Sequence, residues 1–490
     1  MQRRQFLTTA SSTVLTCAAT KSWAQDTPAV SEKCSEASKA MKKAATFFCG
    51  RVSQHGGYVY YVSDDLTRFW GETPVTQHDI VVQPPGTPAV GLVLLNAFAA
   101  TEDPFYLEAA TRAGVALADG QLKSGGWDQV IYFAPPEKGR MGQYRHRDGG
   151  KWNLSSLDDG QTQTALKFLS LLDQALEFKH QKIHEAASYA WERLLSAQFP
   201  NGGFPQVFSG PAESLPDLPA RYPDYDWRTQ GRVKNYWDHY TLNDGLAGTV
   251  CDLLIAGKQV YQDKRISDAL IRLGDFLLAA IMPSPQPAWC QQYGDKMQPI
   301  WARKFEPPAI ASSESQDVME TLIRLAKETG DERFLAPVQP ALDYFQNHCL
   351  LPDGRLARFY ELETNRPLYM DSAYQLTYDD SDVPQHYSWK INSKLKQLSR
   401  QLKTWEAQAP DRLPQDAPPS IQTLEQHWQK INPIINQMDD QGRWVSTFAG
   451  ERLTGQPRFT EGFRYLASQV FNSNLAKLSD FIALARQLDG

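Results

Sequence analysis

The chain has 490 residues, of which 42% are hydrophobic and 22% are charged, and its formal net charge is −6. These values are typical of a folded protein with a large core, and they exclude a disordered chain, a collagen-like repeat or a coiled coil as the main architecture. No apolar run reaches the roughly 18 residues that a membrane span needs. The negative charge argues against a nucleic-acid partner, whereas an anionic substrate would require a local cluster of basic residues.

The first segment of the chain, residues 1–24, has the features of an export signal. Arg3 and Arg4 form a twin-arginine pair, a mildly apolar stretch follows, and Ser22 and Ala24 are small residues at a suitable cleavage point. We predict a twin-arginine-type signal peptide over these residues and therefore an exported protein, periplasmic or secreted. The alternative is a cytosolic protein that carries the Arg-Arg pair by chance.

Four successive segments share one plan, in which two helical stretches are joined by a short polar turn and followed by a tight turn with an aromatic or apolar residue. The second stretches carry apolar residues at helical spacing. The polar turns are residues 101–104, 179–182, 262–265 and 330–333. Helix hairpins that repeat in this way either stack as a solenoid or close into a toroid. We favour a mainly α fold, an incomplete α/α toroid, because a toroid gathers the loops between hairpins at one end.

Long loops interrupt the hairpins, and loops of that length in a compact domain are usually functional. They span about residues 130–157, 207–240 and 366–390, and a few short strands are predicted near 57–62 and 358–362. The predicted layout is a catalytic toroid over residues 25–407, a proline-rich linker or surface loop over 408–420, and C-terminal helices over 421–490 that pack on the toroid. We expect those two helices near residues 421–438 and 460–488.

Common catalytic signatures are missing from the sequence. It has no GxSxG nucleophile motif, no GxxxxGK[ST] loop, no GxGxxG fingerprint and no HExxH motif. Its nine histidines are scattered without ligand spacing, which argues against a histidine-based zinc site. The residue types that remain for chemistry are Asp, Glu, Arg and Tyr at the ends of the repeats that face the loops.

Two short motifs each occur twice in equivalent places. Leu-Asp-Asp-Gly at residues 157–160 corresponds to Leu-Asn-Asp-Gly at 242–245, and Ala-Arg-x-aromatic-Glu occurs at 302–306 and 357–361. Simpler explanations are that the aspartates cap helices and that the arginines form surface ion pairs. In a toroid, however, all four motifs lie at one end, so that Asp158, Asp244, Arg303 and Arg358 become candidates for one site.

The sequence resembles the pectate lyases of polysaccharide lyase family 10 from about residue 35 to residue 390. The resemblance includes residues 84–88, the Gly-Gly-Trp turn at 125–127, the Gly-Gly-Phe turn at 202–204 and Asn243-Asp244. It is most specific over residues 287–315, with Trp289-Cys290-Gln291-Gln292-Tyr293, Ala302-Arg303 and Phe305-Glu306-Pro307. The family fold is an α/α toroid, and its members cleave polygalacturonate by β-elimination with calcium.

The resemblance implies a role for each of the four candidates. Asp158 and Asp244 match the active-centre aspartates and would bind Ca²⁺, Arg303 matches an arginine that pairs with the substrate carboxylate, and Arg358 matches the base. Further residues would bind the substrate: Trp127, Trp289, Gln291, Tyr293, Glu306 and Tyr360. The chain departs from the family pattern at Asp159-Gly160-Gln161, where Asn and a small residue are usual, and at Gly245, which replaces a second acidic residue.

The chemistry that these residues would perform is coherent. Elimination removes the weakly acidic proton at C5 of a uronate, and Ca²⁺ together with Arg303 would stabilise the enolate-like charge that develops. Calcium prefers oxygen ligands, such as aspartate carboxylates. Arginine is normally protonated, so Arg358 can act as a base only if neighbouring positive charge favours its neutral form. An alkaline optimum is therefore expected.

Two other functions remain open at the level of sequence. One is an α/α-toroid glycoside hydrolase of uronate-containing glycans, in which Asp158 or Asp159 works with Asp244 as a pair of carboxylates. The other is an exported glycan-binding protein without catalysis. The favoured interpretation is an exported polysaccharide lyase acting on an anionic polysaccharide, polygalacturonate or a related polyuronate, as a monomer without a membrane span or nucleic-acid partner.

Overall fold

The structure, a computed structural model, describes residues 23–407 and 420–489. Almost all of the predicted signal peptide and of the proline-rich segment 408–420 therefore lies outside the described residues. Within them the helices are α1 (Trp23–Phe47), α2 (Thr87–Thr101), α3 (Pro104–Asp119), α4 (Gln161–Ala175), α5 (Gln181–Ala197), α6 (Leu246–Tyr261), α7 (Lys264–Ala279), α8 (Ser312–Thr329), α9 (Val338–His348), α10 (Leu395–Ala407), α11 (Ile421–Asn436) and α12 (Ser468–Asp489). None of these described helices combines the length and the apolar character that a bilayer crossing requires.

The four predicted hairpins are present as the pairs α2/α3, α4/α5, α6/α7 and α8/α9, and each polar turn lies where it was expected. Three of the four turns contain an aspartate that caps the start of the next helix, and the second turn has His180 in that position. Asp103 and Asp263 cap α3 and α7, because each carboxylate accepts a hydrogen bond from the backbone N–H two residues later. Asp331 makes the same bond at the fourth turn. The sequence signals that predicted these turns are thus the groups that stabilise them.

The first helices of the hairpins form an inner layer. These helices, α2, α4, α6 and α8, pack side by side, and α10 packs on α8 and α12 on α2 at the two ends of the row. The second helices α3, α5 and α7 form an outer layer. This arrangement is the incomplete α/α toroid that the repeat predicted. Close packing requires glycine at some contacts, since a Cβ at Gly91 would lie 2.3 Å from the Phe168 ring. The inner helices run in the same direction, so their N-terminal ends lie together at one end of the toroid.

Short strands lie mainly beside the loops. Their bounds are β1 (Tyr61–Ser63), β2 (Phe69–Trp70), β3 (Pro74–Val75), β4 (Asp79–Val81), β5 (Val130–Tyr132), β6 (Ser155–Ser156), β7 (Val207–Phe208), β8 (Tyr240–Thr241), β9 (Gln292–Tyr293), β10 (Ile310–Ala311), β11 (Leu356–Ala357), β12 (Phe359–Tyr360), β13 (Pro367–Met370), β14 (Leu376–Thr377), β15 (Lys390–Ile391), β16 (Val445–Thr447) and β17 (Arg464–Ala467). A four-stranded sheet has the order β10-β12-β13-β14, and a five-stranded sheet has the order β16-β17-β1-β2-β3.

The five-stranded sheet corrects one predicted boundary. The last helix was expected to begin near residue 460, but α12 begins at Ser468 because Arg464–Ala467 pairs with β1 as strand β17. The sheet joins both ends of the described chain, since β1 and β2 belong to the N-terminal part and β16 and β17 to the C-terminal part. The predicted strands near residues 57–62 and 358–362 are present as β1 and β12.

Candidate active site

Two turns with the same backbone conformation precede the inner helices α4 and α6. Asp159 has φ 45° and ψ 28°, Asp244 has φ 51° and ψ 35°, and each is followed by a glycine with φ near 70°. Left-handed backbone is uncommon for residues other than glycine, and it costs on the order of 1–3 kcal/mol where the surroundings impose it. Asp159 is therefore the structural equivalent of Asp244, and Asp158 is the equivalent of Asn243.

These aspartates do not cap their helices. The N-cap residues of α4 and α6 are Gly160 and Gly245, and neither helix has a side-chain hydrogen bond at its cap. Instead, one carboxylate oxygen from each of Asp158, Asp159 and Asp244 lies within 4.8 Å of the others. The turns thus bring three acidic groups from two hairpins to one point, and the explanation by helix capping is excluded.

The pKa values of the three carboxyl groups reflect this crowding. Withdrawal from water, followed by the charges of Asp158 and Asp244, raises the pKa of Asp159 to about 7. The same two effects, burial and the charge of Asp158, raise the pKa of Asp244 to about 6, and burial raises the pKa of Asp158. A bound cation would favour the ionised forms of all three groups.

The donor set fits a hard cation such as Ca²⁺. Three carboxylates supply oxygen ligands, which calcium prefers. Oδ1 of Asp158 is buried and has no hydrogen-bond partner among the described residues. Among the described residues, Asp159 and Asp244 each have one oxygen in a side-chain hydrogen bond: Gln83 donates to Oδ2 of Asp159 at 3.0 Å, and Asn243 donates to Oδ2 of Asp244 at 2.6 Å. The remaining oxygens are available to a metal ion.

Arg303 is held by a carboxylate three residues away. Its Nε and Nη2 donate to Glu306 at 2.8 and 2.5 Å, and its backbone N–H donates to the same carboxylate at 3.0 Å. Burial opposes both charges, but the pairing outweighs it, so the pKa of Arg303 is raised and that of Glu306 is lowered. Arg303 is consequently a fixed cation, and its Nη1 makes no hydrogen bond within the described residues.

Arg358 lies among acidic groups. Its Nη2 is 3.4 Å from Oε1 of Glu314, in the first turn of α8, and 3.9 Å from Oδ1 of Asp244. Burial opposes the charge of Arg358, but Glu314 and other acidic neighbours outweigh it and raise the pKa of the guanidinium. Its face lies 4.5 Å from the ring centre of Tyr387, whose hydroxyl donates to Glu306 at 3.0 Å. Tyr387 therefore connects the two arginine sites.

With this geometry established, comparison with known proteins identifies the family. The pectic acid lyase family model matches residues 121–355. These residues belong to the pectic acid lyase family. The match spans α4 to α9 and includes Asp158, Asp244 and Arg303. It confirms the family predicted from the sequence. It also confirms the enzyme class, a polysaccharide lyase. Arg358 lies just beyond the C-terminal limit of the matched segment.

Solved structures similar to this lyase are only distantly related in sequence. A family 10 polysaccharide lyase from Cellvibrio cellulosa, solved as a substituted form with trigalacturonic acid, shares 20% identity over 65% of this chain and 96% of that chain, with a TM-score of 0.44. An α-mannanase from Bacteroides thetaiotaomicron shares 11% identity over 94% and 97% of the two chains, with a TM-score of 0.43. No curated protein matches the chain.

Four residues expected to bind substrate lie instead in the core of the lyase. Trp127, Trp289, Tyr293 and Tyr360 have no exposed surface. The two indole N–H groups and the two hydroxyls donate to backbone carbonyls at or near the C-terminal ends of the outer helices α3, α7 and α9. These side chains fasten the hairpins to the strands that follow them, and the prediction that they contact substrate is corrected.

The other predicted residues lie at the site. Glu306 pairs with Arg303, which lowers the pKa of the carboxyl against the effect of burial, and Gln291 is buried with no hydrogen-bond partner for its amide among the described residues. The sequence analysis did not assign Asp159, Glu314 or Tyr387 to the lyase site. For Asp159 a signal was present, because it aligns with Asp244 in the repeat. Glu314 and Tyr387 belong to no recurring motif, and only the fold brings them to Arg358.

Proposed function

We propose that the protein is an exported, pectate lyase-like enzyme that cleaves polygalacturonate or a related polyuronate by calcium-assisted β-elimination. The observation that supports this most strongly is the meeting of three carboxylates and two guanidinium groups at one end of a pectic acid lyase fold. Acidic groups alone would repel an acidic sugar. A cation bound between the carboxylates, together with the arginines, would make its binding favourable.

We propose that Asp158, Asp159 and Asp244 hold the calcium ion. When bound there, Ca²⁺ would withdraw charge from the sugar carboxylate and so make the C5 proton more acidic. Arg303 would donate from its free Nη1 to the same carboxylate, while Glu306 keeps the guanidinium oriented. The developing negative charge would then lie beside a cation that does not need to move.

Arg358 is the proposed base. It would accept the C5 proton on a guanidine nitrogen, which requires the neutral form of the side chain. The C4–C5 double bond would form as the C4–O4 bond breaks, and the departing oxygen would take a proton from water. In the free protein, Glu314 and Asp244 favour the charged form. Positive charge bound at Asp244 would act in the opposite direction and lower the pKa of Arg358. The proposed base is therefore competent only in the assembled complex and becomes more effective as the pH rises.

The alternative of an inverting hydrolase is less well supported. An inverting glycosidase needs carboxyl groups roughly 6.5–9.5 Å apart, to leave room for a water molecule. Oxygens of Asp158, Asp159 and Asp244 lie within 4.8 Å of one another. That spacing suits ligands of one ion better than an acid and base on opposite faces of a sugar. Export by a twin-arginine-type signal, the domain limits and a monomeric state remain part of the proposal.

The decisive experiment measures the product. The mature protein is incubated with polygalacturonate, with calcium or with EDTA, and the ultraviolet absorbance of unsaturated uronate is followed. We expect the absorbance to rise with calcium and to stop rising in EDTA. New reducing ends without absorbance would establish hydrolysis instead, and binding without either product would establish a non-catalytic protein. Fractionation of cells that produce the full chain and its R3K/R4K variant tests export.

A further inference from the structure

A second arginine lies close to Arg303 on a long loop. Arg232 is exposed, and its guanidinium lies 3.8 Å from the ring centre of Trp301, two residues before Arg303. Trp301 is buried, and its indole N–H donates to the carbonyl of Trp227 at 2.7 Å. A backbone bridge also pairs Arg232 with Trp301. The loop therefore holds this guanidinium beside the segment that carries Arg303.

Arg232 has no acidic partner in the described part of the chain. No carboxylate there lies within ion-pair distance of it, whereas neighbouring Arg228 pairs with Glu361 and Arg303 pairs with Glu306. Partial withdrawal of the guanidinium from water lowers the pKa of Arg232, and no acidic group compensates for this effect. Stacking on Trp301 uses the flat face of the guanidinium and leaves the N–H groups along its edge free to donate.

Lys304 repeats this arrangement on the other side of Arg303. Its Nζ lies 3.5 Å from the ring centre of Tyr374, the residue is exposed, and no carboxylate of the described residues pairs with it. Two exposed cations without acidic partners thus flank Arg303 in a protein that is negatively charged overall. Arg228, Arg303 and Arg358, by contrast, each have a carboxylate partner.

We propose that Arg232 and Lys304 form accessory subsites that bind the carboxylates of the sugars next to the one that is cleaved. The inference rests on the proposed function. A polyuronate carries one carboxylate on each sugar, so cations are needed at successive positions, and only Arg232 can bind a carboxylate through two parallel N–H groups. Esterified sugars lack this charge, so these residues would select for unesterified stretches of the polymer.

The test compares R232A and K304A with the parent enzyme on polygalacturonate, on a highly methyl-esterified polymer and on the shortest oligosaccharide that is cleaved. We expect roughly a fivefold rise in KM on polygalacturonate for R232A, a smaller rise for K304A and kcat within a factor of two. The rise is absent on the other two substrates, and the dependence of KM on salt becomes weaker. R232K recovers part of the loss, because it keeps the charge without the planar edge.

A control far from the site is R333A, which removes an arginine that, unlike Arg232, is paired with Asp275 and Asp331. Arg333 also lies over an aromatic ring, that of Phe334 at 5.0 Å, but it follows the far end of α8, about 27 Å of helix from the site. An unchanged KM for R232A on polygalacturonate, or an equal loss of activity on all substrates together with a lower Tm, would overturn the proposal. If the parent enzyme forms no unsaturated product, the proposed function fails separately. In that case the affinity of parent and R232A for polygalacturonate is measured by calorimetry. Equal affinities would refute the proposed subsite at Arg232.

Discussion

At the scale of single residues, Asp159 is the most informative addition to the site. It adopts the left-handed backbone of Asp244 and contributes the third carboxylate. Asn tolerates that backbone as well as Asp does, so D159N removes the charge without straining the turn. We expect calcium to bind roughly tenfold or more weakly, because ligand charge sets calcium affinity. Calcium titration of the initial rate measures this, with D343N on the outer helix α9 as a control that leaves the titration unchanged.

Arg358 gives a prediction about pH. Its acidic neighbours raise its pKa, so the neutral fraction is small at pH 7 and grows about tenfold for each unit of pH. We expect kcat on polygalacturonate to rise from neutral into alkaline solution, and R358A to lower kcat by about 10²–10⁴-fold. R303A is the comparison, and its main expected effect is on KM. A pH profile of kcat that is flat above neutrality would exclude Arg358 as the base.

At the scale of elements, the spacing of the two aspartate turns depends on a link between α4 and α6. Nε2 of Gln163 donates to the carbonyl of Leu157 at 2.7 Å and to the hydroxyl of Thr249 at 3.0 Å. The Thr249 hydroxyl in turn donates to the carbonyl of Gly245 at 3.2 Å. This chain of hydrogen bonds holds together two turns whose carboxylates repel each other.

The variant T249V tests that link, because valine has the shape of threonine without its hydroxyl. We expect a loss of about 1 kcal/mol in the free energy of unfolding and a higher calcium requirement for activity. T329V is the matched control. Thr329 also donates to the carbonyl four residues earlier, at 2.7 Å. It lies at the C-terminal end of α8, away from the aspartate turns. Both variants should lose similar stability, and only T249V should need more calcium.

The elements also show what the sequence can and cannot predict. The hairpin turns were predictable because the aspartates and glycines that stop and start helices are local signals. The start of α12 was not, since residues 464–467 form a strand only through their pairing with β1. Trp127 and Trp289 were expected to bind substrate, although an aromatic residue after a helix hairpin serves equally well as an anchor in the core. Glu314 and Tyr387 reach Arg358 from a helix and a loop that the repeat does not relate.

At the scale of the whole molecule, the crowded carboxylates predict an unusual pH dependence of stability. Asp159, Asp244 and Glu314 have pKa values raised to about 7, 6 and 7 in the folded protein, each chiefly because the group is withdrawn from water. Groups with raised pKa values stabilise the fold at low pH, and that contribution is lost as the pH rises through the folded values. In EDTA, we therefore expect Tm to fall between pH 5 and pH 8.

Calcium should abolish most of that fall, because a bound cation compensates the ionised carboxylates and stabilises the folded state by binding it. Thermal unfolding at both pH values, with calcium and with EDTA, measures the effect. The double variant D159N/D244N should show a shallower fall in EDTA and little response to calcium. A parent Tm that is equal at the two pH values in EDTA would contradict the electrostatic picture.

The five-stranded sheet has a consequence for how the enzyme matures. Glu72, just after β2, accepts a hydrogen bond from Gln83, and the same amide donates to Asp159. The order β16-β17-β1-β2-β3 means that β1 lacks one of its two neighbouring strands until residues 464–467 have been synthesised. The sheet that carries Glu72 is thus complete only after a segment distant in sequence has been synthesised, and nascent chains interrupted before residue 464 would display the bare edge of β1 to other molecules.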